Sequence, residues 1–203
     1  MSRLAALVCL LVLGPASSSV EIRGMRHPAL SPDGKRLAFD WHGDLWVCPV
    51  EGGKAERITR DPAHEQKPCW SPDGAKLAFV SNRGDHSFIG VYTNDSTPIV
   101  YLAPSTSRDL SPRWSPDGKR LAFDRHLADN WDVYVKLVGA SELHRLTTDP
   151  AADGSPAWSP DGRQIAFTRH RQRRGNIHVV SPLGGPDRRV ADLPVRGSLS
   201  WSP

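Results

Sequence analysis

Ser31-Pro32-Asp33-Gly34 recurs as Ser71-Pro72-Asp73-Gly74, Ser115-Pro116-Asp117-Gly118 and Ser159-Pro160-Asp161-Gly162, and begins again at Ser202-Pro203. The interval is about 40 to 45 residues, the length of a propeller blade built from four short strands. Before each turn stands Leu30, Trp70, Trp114, Trp158 or Trp201. After it comes Leu37-Ala38-Phe39, Leu77-Ala78-Phe79, Leu121-Ala122-Phe123 or Ile165-Ala166-Phe167. Leucine and phenylalanine two apart share one face of a strand. Proline presets the first central turn position, aspartate bonds its own backbone, and glycine takes the positive φ that follows. Asp33, Asp73, Asp117 and Asp161, with Gly34, Gly74, Gly118 and Gly162, are therefore read as hairpin chemistry rather than as catalytic or metal-binding groups.

Further along each repeat, Leu45-Trp46-Val47, Ile89-Gly90-Val91-Tyr92, Val133-Tyr134-Val135 and Ile177-His178-Val179 read as a third strand. Arg57-Ile58-Thr59, Val100-Tyr101-Leu102, Arg145-Leu146-Thr147 and Arg188-Arg189-Val190 read as a fourth. The expected fold is all-β: a β-propeller of four-stranded antiparallel blades at 26–60, 66–104, 110–148 and 154–192, with the start of a fifth at 198–203. The tryptophans belong to the core between blades, because a four-stranded sheet must bury its faces against its neighbours. Open sheet edges are an aggregation liability that propellers avoid by closing the ring, so the expectation is a fragment of a ring of about six to eight blades.

Composition agrees. Of 203 residues, 17 are Gly and 18 Pro, too many for a helical bundle. The net charge of +4 permits an anionic partner without requiring one. Arg3 precedes an apolar run from Leu4 to Leu13, and Ala16 and Ser18 have small-x-small spacing. Residues 1–18 thus read as a secretory signal peptide, too short to remain as a membrane span, with 19–203 as the propeller. That places the chain in the periplasm or outside the cell. Cys48 and Cys69 remain after cleavage, and both a single disulfide and two thiols fit. No metal or cofactor is expected.

With these residues in view, the repeat resembles the TolB-type, WD40-like β-propeller family, whose repeats read Trp-Ser-Pro-Asp-Gly, Leu-Ala-Phe, an aromatic strand, then Arg-Leu-Thr. The resemblance runs over residues 26 to 203. Ser81 to Tyr92 is also similar to blades in the amino-terminal propellers of exported prolyl-oligopeptidase-class serine peptidases, while Asp132 to Pro150 looks more like propellers of bacterial sensor proteins. TolB proper carries an α/β domain ahead of its propeller, which this sequence does not place there.

Equivalent loop positions nominate a site. Eleven residues after each motif serine stand His42, Asn82, His126 and His170; at ten are Trp41, Ser81, Arg125 and Arg169, and at nine Asp40 and Asp124. With Arg83 beside Asn82, these polar, basic and aromatic groups form a candidate ring on one rim that reads a protein or peptide ligand. Solvated loops are the alternative. Arg169 to Arg174 has the charge that nucleic acid needs but no interleaved aromatic platform, so no nucleic-acid partner is expected. Gly-x-Ser-x-Gly, His-Glu-x-x-His and phosphate-loop motifs are missing from the sequence. The expected function is a binding scaffold without catalysis of its own. One alternative is the substrate-gating propeller of a serine peptidase whose hydrolase domain lies beyond Pro203; another is a sensor propeller.

Overall fold

The computed structural model describes residues 10–12, 19–21, 24–171, 174–192 and 198–201. Strands β1 (Leu10–Val12) and β2 (Ser19–Glu21) pair antiparallel; the expected cleavage point at Ser18 lies outside the described residues. Four meanders follow. The first is β3 (Arg26–Leu30), β4 (Arg36–Trp41), β5 (Asp44–Pro49) and β6 (Glu56–Arg57). The second is β7 (His64–Trp70), β8 (Leu77–Asn82), β9 (Ser87–Tyr92) and β10 (Val100–Leu102). The third is β11 (Arg108–Trp114), β12 (Arg120–Leu127), β13 (Asn130–Leu137) and β14 (Leu143–Arg145). The fourth is β15 (Ala152–Trp158), β16 (Ile165–Arg171), β17 (Arg174–Val180) and β18 (Arg188–Ala191). Within each, successive strands pair antiparallel, and no helix occurs among the described residues. A parallel bridge from Arg108 to Ser87 joins the second and third sheets.

The Ser-Pro-Asp-Gly turn is closed by its own side chains. In the third repeat Ser115 Oγ donates to Asp117 Oδ1 at 2.5 Å, and the Lys119 N–H donates to the same oxygen at 3.1 Å. The Arg120 N–H then donates to Ser115 Oγ at 2.9 Å. Gly118, at φ +66°, occupies the left-handed region that an L side chain resists. The other three turns repeat this pattern. In the first and third sheets the fourth strand has a further duty. The Leu45 and Val133 N–H groups donate to Thr59 and Thr147 hydroxyls, while Arg57 and Arg145 pair with Asp44 and Asp132 at 2.7 and 2.6 Å.

The core lies between sheets. Phe39, Phe79, Phe123 and Phe167 are fully buried. Trp114 packs with Val80, Ile89 and Leu121 between the second and third sheets. Trp158 packs with Ala122, Val135 and Phe167 between the third and fourth. Each tryptophan is also tied by its indole N–H to the backbone of the preceding innermost strand. Trp70 donates to the Ala29 carbonyl at 3.0 Å, Trp114 to Cys69 at 3.0 Å, Trp158 to Arg113 at 3.1 Å and Trp201 to Ala157 at 2.9 Å. The acceptor is always the residue before the tryptophan position of the previous repeat. Cys48 and Cys69 are not joined by a disulfide: Cys48 sits in the core of the first sheet and Cys69 against the next cluster.

Candidate functional site

Every innermost strand carries the same irregularity. Its register slips between Arg26 and Ala29, Gln66 and Cys69, Leu110 and Arg113, and Gly154 and Ala157. The extra residue, four before the motif serine, is His27, Lys67, Ser111 or Ser155, held at φ between +49° and +55°. A proline follows each of them, at 28, 68, 112 and 156. Non-glycine residues in the left-handed region are strained and persist where their surroundings over-determine them. Here Asp40 helps, because its Oδ1 accepts from the Lys67 N–H at 3.3 Å and lies 2.7 Å from His27 Nδ1.

These bulges converge. His27, Lys67, Ser111 and Ser155, with Ser198 at the corresponding point of the next repeat and Arg113 beside them, line one cavity of about 640 Å³. This axial wall escaped the sequence reading. Its signal is the x-Pro pair before every Trp-Ser-Pro-Asp-Gly, at constant spacing.

The expected rim separates into three kinds of place. Asp40, Trp41 and His42 share a cleft of about 450 Å³ with Glu65. Asn82 and Arg83 share another, of about 460 Å³. Asp124 and His170 line a third, of about 230 Å³, between the third and fourth sheets. His126 is half-buried against Trp131, with ring centres 5.0 Å apart. His42 occupies the turn itself, at φ +51° before Gly43. Arg83 reaches Asp61 at 3.2 Å and the Tyr101 hydroxyl at 3.3 Å.

Arg125 and Arg169 correct the expectation of a ligand-facing ring. Both are buried at 6% exposure, because their guanidinium groups serve carboxylates of their own sheets. Arg125 donates to both oxygens of Asp109 at 2.7 Å and to the Ala103 carbonyl at 2.8 Å. Arg169 donates to both oxygens of Asp153 at 2.8 and 2.9 Å and also binds Asp187. Arg171 is drawn to Asp149 at 2.6 Å, so part of the basic run from Arg169 is neutralised within the chain.

Among the described residues, Glu65 and Asp124 are buried acids with no cation bonded to them. Burial pushes the Glu65 carboxyl up to about 7, against the Ser81 hydroxyl bond that lowers it. Burial likewise pushes Asp124 up to about 7, opposed by Ser111 and the Ser155 N–H. A raised carboxyl contributes stability that is complete below its unfolded value and drains away as pH rises through its folded value. The turn aspartates have the opposite sign. Their serine hydroxyl bonds lower Asp33, Asp73, Asp117 and Asp161, so that contribution holds above the unfolded value and is lost as pH falls. The expected stability maximum lies at about pH 4–5, with a thermal midpoint that falls from about pH 5 to about pH 7 and that Glu65→Gln makes shallower. Identical alkaline limbs in the two proteins, followed by circular dichroism, would contradict this.

A meander of four-stranded antiparallel sheets with interblade tryptophans and inner strands facing one cavity defines a β-propeller. The chain belongs to the TolB beta propeller domain family, which matches residues 99–202, just over half of the sequence. It is 41% identical over 63 residues to the uncharacterized peptidase YuxL of Bacillus subtilis, covering 29% of this chain and 10% of that one. It is 36% identical over 73 residues to tricorn protease homolog 1 of Streptomyces coelicolor, covering 36% and 6%. The chain thus spans a tenth or less of these curated relatives. A solved TolB-like protein from Agrobacterium tumefaciens superposes with a TM-score of 0.72 at 26% identity, over 83% of this chain and 62% of that one.

Proposed function

We propose that this chain is an exported TolB-like propeller module that binds a protein or peptide and performs no catalysis of its own. The observation that carries this reading is the axial cavity, where successive repeats hold strained bulge residues against one space. Strain maintained at equivalent points of every repeat fits a ligand clamp better than packing, which four regular strands would serve. Lys67, Arg113 and the three serines suit a polar or acidic segment of a partner. Export follows from the reading of residues 1–18 as a signal and places the module in the periplasm or outside the cell.

A second reading is the amino-terminal gating propeller of a prolyl-oligopeptidase-class serine peptidase. The likeness to YuxL, named a peptidase and matched over a tenth of its length, supports it. In that case the cavity filters substrates, and a Gly-x-Ser-x-Gly segment should follow in the gene beyond the codon for Pro203. Peptides selected by display on the full chain test the binding reading. Their affinity is expected to fall about tenfold or more when Lys67 and Arg113 are both changed to alanine, the loss of charged contacts to a ligand. Selected peptides that bind the double variant as tightly as the wild type would overturn the cavity as the binding site.

A further inference from the structure

The repeats carry an internal template for a ligand. Six residues before the motif serine, the second, third and fourth innermost strands hold Glu65, Asp109 and Asp153. Each faces, in register, the residue ten after that serine: Ser81, Arg125 or Arg169. In the third and fourth sheets the arginine fork satisfies both carboxylate oxygens. The second sheet has the acid without the arginine. Ser81 Oγ donates to Glu65 Oε1 at 2.9 Å, while Glu65 Oε2 is buried with no partner. The residue is only 1% exposed, so that oxygen has lost its water as well. An acceptor in this condition costs about 1–3 kcal/mol, more when charged.

Among the described residues no cation bonds this oxygen, although Arg26 lines the same cleft. Tyr101 stands where the other sheets carry Arg57, Arg145 and Arg189, and Arg83 is turned to Asp61. Glu65 lines the cleft of about 450 Å³ between the first and second sheets. Asp40, on the same wall, is already engaged by His27 and the Lys67 N–H. Trp41 also lines this cleft, its ring 4.5 Å from that of His42 and 5.4 Å from that of Trp46.

We infer that the cleft between the first and second sheets binds the guanidinium of an arginine side chain presented by the partner, with Glu65 receiving it as Asp109 and Asp153 receive Arg125 and Arg169. The planar fork reaches both carboxylate oxygens at once, whereas an ammonium is a point donor. The inference deepens the binding reading and depends on it only for the source of the arginine.

The test titrates N-acetyl-arginine N-methylamide, with its citrulline and lysine counterparts, into the full chain, following thermal midpoint and NMR shifts. The arginine compound is expected to give a saturable response and citrulline none. Lysine should be weaker. Glu65→Gln is expected to weaken the arginine response by about tenfold or more, the loss of a charged hydrogen bond. Ser81→Arg, which supplies the guanidinium from the chain itself, is expected to abolish it. No response to the arginine compound, an equal response to citrulline, or an undiminished response in either folded variant would overturn the inference. Such a failure would leave peptides that depend on Lys67 and Arg113 unaffected, so the two readings fall separately.

Discussion

Arg125→Met is expected to destabilise the protein by about 3–5 kcal/mol, among the largest losses available to a single substitution. The cause is what stays behind rather than what is removed. Asp109 is fully buried, and both of its oxygens are held by Arg125. The Ala103 carbonyl loses its donor in the same step. A buried carboxylate stripped of its cation must either ionise in an apolar setting or take up a proton, and both cost free energy. Removing the acid as well should reverse most of the loss, because an apolar pair of similar volume replaces a buried ion pair at little net cost. Arg125→Met with Asp109→Leu is therefore expected within about 1–2 kcal/mol of the wild type. Urea unfolding of the three proteins decides the matter: a loss below about 1 kcal/mol for the single variant would show that water reaches Asp109 and screens it.

That pair also shows which parts of the molecule could be read in advance. The turn, the Leu-Ala-Phe strand and the tryptophan each recur with fixed spacing, and each spacing corresponds to one local geometry. A charged residue near a strand end suggests a solvated loop, but strand alternation sets Arg125 and Arg169 on the buried face of Phe123 and Phe167. Their acids, sixteen residues upstream in each case, were in plain view but meaningless until the register paired them. The eleventh position is not structurally equivalent from sheet to sheet. The second hairpin loop turns at His42 in the first repeat but at Ala128 and Asp129 in the third, so equal spacing reaches a turn in one sheet and a strand in the other. The axial wall was legible in the recurrent x-Pro pair, which marks a bulge only once the strand is known to be innermost.

Trp158→Ala should cost a comparable amount, about 3–5 kcal/mol, and should change how the protein unfolds as well as when. Trp158 is 8% exposed and packs with residues of both the third and fourth sheets. Its indole N–H holds the Arg113 carbonyl at 3.1 Å, and Arg120 lies 5.0 Å over its ring. Truncation therefore removes buried area, an interblade hydrogen bond and a cation–π contact from one interface while leaving each four-stranded ladder intact. In a repeat architecture stability is a sum of repeat terms and nearest-neighbour interface terms, so weakening one interface uncouples the units on either side. Amide exchange is expected to speed up first in β15 to β18, with β7 to β9 remaining protected. Trp158→Phe keeps most of the packing and loses the donor, which predicts a smaller cost of about 1–2 kcal/mol. Trp201 provides an internal comparison: it makes the same bond to Ala157 at 2.9 Å but is 36% exposed. Trp201→Ala should accordingly cost about a third less than Trp158→Ala, since the transfer contribution scales with the area removed from water. Equal losses for the two alanine variants would mean that the indole hydrogen bond rather than burial sets the strength of these interfaces, and uniform acceleration of exchange across all four sheets in Trp158→Ala would mean that the sheets open as one unit.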